Sequence, residues 1–547
     1  MKRQHVTVSL AAITLLGAAL RAHQLGLRLL WLDEARIFWV AQGSLSQVIR
    51  ENATWNSAPP LFPILVGLVA RLADTELALR AISWAAGTLA IPAMYLLGRR
   101  FLSQPGALFG SLLLAVAVVQ IKYSQEVREY SLSVLLLVLL VTSFLQFVER
   151  PTWKRGATLA AVATVGLLTQ YSLALVTLAL NGVMAVHLLR MKPGRKDLLA
   201  KWSAIQALLV LVALLVIQVS LRGQWEAGGF WGGRGQYIEE GYWAGPGAIS
   251  AVAFAYRGTR GLVEYAFPGL GFALLVYCGT LAVLFLRRTT LLPFLVGLPF
   301  CVFIAAALLR LYPYLPARQD LILTPLIYLV AALGIDYLMR VDRKLIWVAV
   351  VLVQVFRLAA NPTVAYFRAG EKSDLGIILR PLISLARPGE PVYVCQADDP
   401  VIAYYFQIRF PQFPLIERDL GAGPRDYLDQ VDRLVGEHPR TWLLINHTCG
   451  ESQAFLDYIG RRWGIDLIEE RLPIRLFLVE PGSRAESARF SSPIRPRSRF
   501  GRASPRLILD HERERDPPGF HCVDDPGLGS IASGGVPLDR IGPAWAL

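Results

Sequence analysis

Three short stretches hold the residue types that could do group-transfer chemistry. The first is Leu30-Trp31-Leu32-Asp33-Glu34-Ala35-Arg36, directly after the first apolar segment. Asp33 and Arg36 are three apart and share a helix face, while Glu34 is turned away by about 100°. An aspartate in that place can act as a general base, with Glu34 beside it; Asp33 can equally be a helix N-cap paired with Arg36. Carboxylates at a membrane mouth are costly unless solvated or used, which favours the functional reading. The second stretch is Tyr123-Ser124-Gln125-Glu126-Val127-Arg128-Glu129-Tyr130, which interrupts two apolar segments. Glu126 with Tyr130, and Gln125 with Arg128, fall on shared faces. The stretch reads either as a polar turn with interfacial tyrosines or as a mixed-charge lining for a phosphate-bearing substrate. The third, Tyr312-Pro313-Tyr314-Leu315-Pro316-Ala317-Arg318-Gln319, offers Arg318. Its fork of donors suits phosphate oxygens; the bland alternative is an arginine snorkelling from a helix end. A weaker signal is the loop 222–266 with Trp225, Trp231 and Trp243. Their rings could stack on sugars or bases, but Trp is common at membrane interfaces anyway.

The elements that must position these residues are membrane helices. The chain is 54% hydrophobic and only 18% charged, and apolar runs of about 18 or more residues recur along it. A polytopic membrane bundle follows. The net charge of +14 reads first as basic residues gathered in cytoplasmic loops, not as nucleic-acid binding. Lys2 and Arg3 place the N-terminus inside and residues 6–27 as an uncleaved first span, so the Asp33 stretch lies outside. Residues 59–73 are apolar but about 22 Å long as a helix, short of a core of about 30 Å. Taking them as a juxtamembrane or re-entrant helix puts every basic cluster on one side. The remaining spans are then 79–98, 105–122, 130–148, 156–171, 172–190, 200–221, 267–286, 291–309, 319–338 and 344–360. The total is about eleven. The outer loops become 28–78, 123–129, 222–266 and 310–318.

Residues 1–360 thus read as a transmembrane domain, and 361–482 as a small extracytoplasmic α/β domain. In the latter, PVYVCQ and TWLLIN look like buried strands that alternate with helices. Cys395 and Cys449 are there either a disulfide or two independent buried cysteines. Residues 483–547 are rich in Pro, Arg, Ser and Gly without apolar periodicity and read as a disordered tail. No Walker loop, HExxH or CxxC pair occurs, so ATP-driven transport and zinc proteolysis lose their usual support.

The order of Asp33-Glu34-Ala35-Arg36, Pro59-Pro60-Leu61, Gln125-Glu126-Val127-Arg128-Glu129-Tyr130-Ser131 and Arg318 before a late span resembles the GT-C superfamily of membrane glycosyltransferases. It looks most like the bacterial branch related to protein O-mannosyltransferases (the dolichyl-phosphate-mannose-protein mannosyltransferase-like enzymes) and the lipid A aminoarabinose transferase. The likeness covers about residues 6–360. The chain departs from the pattern at Ala58, where many relatives have a polar residue, and at Gln319, where many have tyrosine. The resemblance implies an inverting transferase that moves a sugar from a polyprenyl-phosphate donor to an acceptor hydroxyl on a glycan, lipid or protein. It implies Asp33 as base, and Arg36, Arg128 and Arg318 as ligands of the donor phosphate. Gln125, Glu126 and Tyr130 would orient the acceptor. It leaves room for a divalent cation, Mg or Mn, with Asp33 and Glu126 as its ligands, and implies no nucleic-acid partner. A bacterial inner membrane, with the site on the periplasmic face, is the expected location. A transporter or flippase of lipid-linked sugars is the alternative. It would show internal repeats and ionisable groups near the midplane, whereas the polar groups here cluster at the outer mouths.

Overall fold

The computed structural model describes residues 3–56, 58–190, 196–226, 239–268, 270–286, 291–339, 364–367, 374–394, 399–417, 424–445, 453–463, 465–471 and 474–480. The expected span 344–360, Trp231, Cys395, Cys449 and the segment 483–547 lie outside them.

The chain opens with helix α1 (Arg3–Ala22) and then the short helices α2 (Leu32–Ala41), α3 (Leu45–Trp55) and α4 (Leu61–Ala70). Helices α5 (Glu76–Gly98), α6 (Gln104–Val116), α7 (Val118–Ser124), α8 (Tyr130–Glu149), α9 (Trp153–Thr169) and α10 (Ser172–Leu189) follow. Next come α11 (Lys196–Val216), which runs through a π-turn into α12 (Arg222–Glu226), then α13 (Gly247–Ala266), α14 (Leu270–Leu286) and α15 (Leu292–Leu308). A 3₁₀ turn, Arg318–Leu323, leads directly into α16 (Thr324–Leu338). Several starts are set by side chains that accept orphan N–H groups: Thr75 takes Ala78, Ser103 takes Gly106 and Thr152 takes Arg155.

Among the described residues six helices are long and apolar enough to cross a membrane: Arg3–Ala22, Glu76–Gly98, Tyr130–Glu149, Ser172–Leu189, Lys196–Gln224 and Arg318–Tyr337. The protein is a multi-pass membrane protein. Helices α9, α14 and α15 have 17 residues each, about 26 Å of rise against a core of about 30 Å. Helix α4 has 10 residues, about 15 Å, half the thickness of that core.

The span expected at 105–122 is two helices, α6 and α7, bent by 56°. The bend is at Ala117, whose backbone is extended (φ −64°, ψ 123°). Extended backbone interrupts the helical ladder and releases carbonyls inside an apolar bundle, where each needs a partner. Arg21, fully buried, supplies it. Its Nη2 donates to Leu114 O at 2.9 Å, its Nη1 to Ala115 O at 2.8 Å and its Nε to Ser124 Oγ at 3.2 Å.

After α16 the described chain builds a five-stranded sheet: β1 (Val392–Val394), β2 (Leu415–Glu417), β3 (Thr441–Ile445), β4 (Ile465–Arg471) and β5 (Ile474–Val479), in the order β2-β1-β3-β5-β4. Strand β1 runs parallel to β2 and β3; β5 runs antiparallel to β3 and β4. Strand alternation sends Val392, Val394, Trp442 and Leu444 to one face, and Tyr393, Leu443 and Ile445 to the other. The second face packs on helices Pro424–Glu437 and Gln453–Trp463 through Val431, Val435 and Ile459. The first face shares one core with Leu30, Ile37, Phe38, Phe62 and Val127. Burial on both faces explains why β1 and β3 read as unbroken apolar runs. The core on the first face joins the sheet to the loop that carries the first chemical stretch.

Candidate active site

Helix α2 starts at Trp31, whose extended backbone ends the preceding turn, and its first turn carries Asp33 and Glu34. The two carboxylates point to different partners. Asp33 Oδ2 accepts a hydrogen bond from Arg318 Nη1 at 2.6 Å and lies 3.8 Å from Arg128 Nη1. Glu34 points inward and is 1% exposed. Its Oε1 accepts from Arg80 Nε and Val127 N, both at 2.8 Å. Its Oε2 accepts from Arg80 Nη2 at 2.7 Å and Trp31 N at 3.2 Å.

That network explains how distant stretches meet. Arg80 sits in α5 with its five guanidinium donors used: the Glu34 carboxylate takes two, and Leu25 O, Arg28 O and Leu29 O take the rest. Glu34 in turn anchors the backbone of Val127, next to Arg128. Ser83 Oγ of α5 donates to Arg128 O at 2.9 Å. The second stretch is therefore held against the first by Glu34, Arg80 and Ser83.

Arg128 is fixed from its own side as well. Its Nη2 donates to Glu129 Oε1 and Tyr130 Oη, both at 3.3 Å, and its guanidinium carbon lies 5.4 Å from the Tyr130 ring centroid. Arg318 approaches from the 3₁₀ turn before α16, with its guanidinium 5.6 Å from the Trp31 ring centroid, a cation–π distance. Burial opposes ionising Asp33, but the charges of Arg128, Arg318 and Arg36 outweigh it and hold its carboxyl below the ordinary value. Burial likewise works against a charged Arg128, and Glu129, Tyr130 and Asp33 reverse it, so its pKa moves up.

The structure thus brings Asp33, Arg128, Tyr130 and Arg318 together, with Arg36 near enough to act electrostatically on Asp33. Two other expected site residues, Glu34 and Gln125, are committed within the protein. Glu34 is an anchor within the protein, because all its acceptor directions are taken by Arg80 and two backbone amides. Gln125 is likewise spent. Its Nε2 donates to Arg21 O and His23 O at 2.9 and 2.6 Å, and its Oε1 accepts from Tyr366 Oη at 2.8 Å. Gln125 thereby staples the end of α1, with its amide used within the protein. Glu126 is buried at 2% exposure, and its carbonyl takes the Arg128 amide. Among the described residues no group of three or more His, Cys, Asp or Glu could hold a metal ion. Asp33 itself faces two guanidiniums, so a divalent cation there would sit against like charge. The residues present do not fit the Mg or Mn site expected at Asp33 and Glu126. Sequence reasoning passed over Arg80 and Arg21. The available signal was the charge itself, since an arginine inside an apolar helix must find a partner.

Comparison with known proteins bears on the same region. Residues 57–221 match the family described as dolichyl-phosphate-mannose-protein mannosyltransferase. The likeness is to that family's sequence over the stretch from just before α4 through the π-turn after α11. The matched segment contains Arg80, Gln125, Glu126, Arg128 and Tyr130. Among solved structures, ArnT from Cupriavidus metallidurans bound to undecaprenyl phosphate is similar at 14% identity and TM-score 0.46, over 88% of this chain and 99% of that one. The archaeal oligosaccharyltransferase AglB from Archaeoglobus fulgidus, in complex with an inhibitory peptide and a dolichol-phosphate, is similar at 13% identity and TM-score 0.45, over 81% of this chain and 69% of that one. The S. cerevisiae protein O-mannosyltransferase Pmt1-Pmt2 complex bound to the sugar donor is similar at 18% identity and TM-score 0.33, over 44% and 36%. No curated protein matches the chain.

Proposed function

We propose that this protein is an inverting glycosyltransferase of the GT-C kind. It moves a sugar from a polyprenyl-phosphate donor to an acceptor hydroxyl at the outer face of the membrane. The observation that carries the reading is the meeting of one carboxylate, Asp33, with two arginines brought from far along the chain, Arg128 and Arg318. A base next to paired cations is what displacement at a sugar phosphate needs. The acceptor oxygen bonds to the anomeric carbon, and its proton passes to Asp33. The bond from that carbon to the phosphate oxygen breaks, and the electron pair leaves with the lipid phosphate. Arg128 and Arg318 stabilise the charge that grows on it, while the sugar passes through an oxocarbenium-like state. Attack opposite the leaving group inverts the anomeric centre. Tyr130, beside Arg128, is placed to orient the acceptor.

The wider frame follows from the same reading. Residues 1–360 form the transmembrane transferase domain, of about eleven spans by the distribution of basic loops. Residues 361–482 form an extracytoplasmic α/β domain that packs on the loop bearing Asp33. The site faces the periplasm of a bacterial inner membrane. The test is transfer from a labelled polyprenyl-phosphate sugar pool to endogenous membrane acceptors, comparing wild type with Asp33→Asn at matched expression. The expected loss is about 10²–10⁴ in rate, the usual worth of a positioned base. Equal transfer by both would remove Asp33 from the mechanism. Translocation of lipid-linked sugar without transfer would establish the transporter reading instead.

A further inference from the structure

We infer that Asp33 is the resident anion of the donor-phosphate site, and that the incoming phosphate takes its place on Arg318 and Arg128. The inference rests on the proposed role of these arginines as phosphate ligands. It says what the ligand must displace, and when the base becomes available.

Three observations carry it. First, a single oxygen, Asp33 Oδ2, meets both guanidiniums, at 2.6 Å from Arg318 and 3.8 Å from Arg128. Among the described residues Arg318 is the hydrogen-bond partner of the Asp33 side chain. Second, the cations are anchored without Asp33. Arg128 is held by Glu129, Tyr130 and the Ser83 bond to its carbonyl, and Arg318 lies over Trp31. Removing the Asp33 carboxylate therefore leaves two positioned guanidiniums facing a common point. Arg128 also keeps donor capacity: its Nε lies 3.3 Å from Glu129 Oε2 but is not aligned for a hydrogen bond. Third, the exchangeable pair is the accessible one. The side chains of Asp33 and Arg318 are 16% and 22% exposed, against 2% for Glu129.

The charges agree. Arg36, Arg128 and Arg318 outnumber Asp33 and Glu129 by one, which suits the single negative charge of a sugar phosphodiester. The departing lipid phosphate carries roughly −1.5 to −2 at neutral pH, and it then holds the arginines more strongly than the donor did. Before exchange, Asp33 is a poor base because its oxygen is committed to Arg318. After exchange, the guanidiniums are shared with phosphate and the freed carboxylate gains proton affinity. Binding is then ordered: the donor comes first, and neither water nor acceptor is activated before it.

The test uses the full-length protein in detergent with geranylgeranyl phosphate as the probe, and geranylgeraniol and inorganic phosphate as comparison arms. Affinities are measured for wild type, Asp33→Asn, Arg318→Gln and the double variant, each checked by thermal melting. Removing the resident anion should tighten geranylgeranyl phosphate binding about tenfold, within the usual range of coupling between ligands. In the Arg318→Gln background, where the contested cation is gone, the gain should shrink to about threefold or less. Equal or weaker binding by Asp33→Asn overturns the inference. So does a tenfold gain that persists without Arg318, since that is bulk repulsion and not exchange. Inorganic phosphate with the same Asp33→Asn gain supports the exchange and makes the headgroup its sufficient cause. If wild type and variants bind the phosphate no better than geranylgeraniol, the phosphate-ligand reading of the arginines fails, and this inference with it.

Discussion

Replacing Glu34 by glutamine separates positioning from catalysis in a motif whose two carboxylates are adjacent in sequence. Glu34 and Arg80 are 1% and 2% exposed and paired through two oxygens and two nitrogens. Removing one partner of such a buried pair typically costs about 3–5 kcal/mol, because the other charge stays buried and uncompensated. Glutamine keeps one carbonyl oxygen for the Val127 amide, so the lower end, about 3 kcal/mol, applies to Glu34→Gln. Alanine also orphans the Val127 and Trp31 amides and falls at the upper end, about 5 kcal/mol. At about 2.1 cal/mol/K of unfolding entropy per residue, a chain of 547 residues melting as one unit would fall by about 3–4 °C. The assay is thermal melting in detergent, read beside sugar transfer per folded molecule. Glu34→Gln should melt earlier than Asp33→Asn, whose lost pairing is the more exposed one, and retain more transfer. Arg80→Met should reproduce the melting loss, and the double variant should lose far less than the sum, with a coupling of up to about 3 kcal/mol. The opposite pattern, wild-type melting with transfer lost as completely as in Asp33→Asn, would refute the assignment and return Glu34 to the chemistry.

Other consequences can be checked alongside. The carboxyl of Asp33 is held below its ordinary value, so its ionised pairing contributes stability above the unfolded pKa of about 3.9 and loses it as pH falls through the lower folded value. The acid limb of kcat/KM, which reports the free enzyme, should accordingly lie below that of a free aspartate. An acid limb above about 5 would contradict the arginine pairing. The Tyr405 hydroxyl accepts from Leu30 N at 2.6 Å and donates to Glu76 Oε1 at 3.2 Å, where the sheet-bearing segment meets the turn before Asp33. Tyr405→Phe leaves a buried amide without a partner and should cost about 1–3 kcal/mol in melting experiments, with a smaller fall in transfer. A Cβ at Gly279 would collide with the carbonyl oxygen of Val330 in the backbone of α16. Since backbone cannot swing aside, Gly279→Ala should sharply reduce the yield of folded protein on size-exclusion chromatography, whereas Gly297→Ala, which meets nothing, should not.

Much of this protein is written in local sequence because its solvent is written there. Helices α5, α8, α10, α11 and α16 were legible without any contact, because an apolar run long enough for a membrane must satisfy its backbone within its own helix. The strands Val392–Val394 and Thr441–Ile445 were legible for a related reason, since a strand buried on both faces must be apolar throughout. The chemical stretches were legible as residue types out of place. What the sequence did not decide is which carboxylate does what. Asp33 and Glu34 are neighbours with the same functional group, and their roles differ because one meets Arg318 and the other meets Arg80. Those partners lie 285 and 46 residues away, and electrostatic pairing depends on distance in space, which no local pattern encodes. The same holds for the bend between α6 and α7. An alanine gives no sign of a break, and the structure tolerates one at Ala117 because Arg21, from a different helix, satisfies the carbonyls it releases. Composition and periodicity determined that the chain enters a membrane and which residues could do chemistry; long-range pairing of buried charges decided which of them face one another.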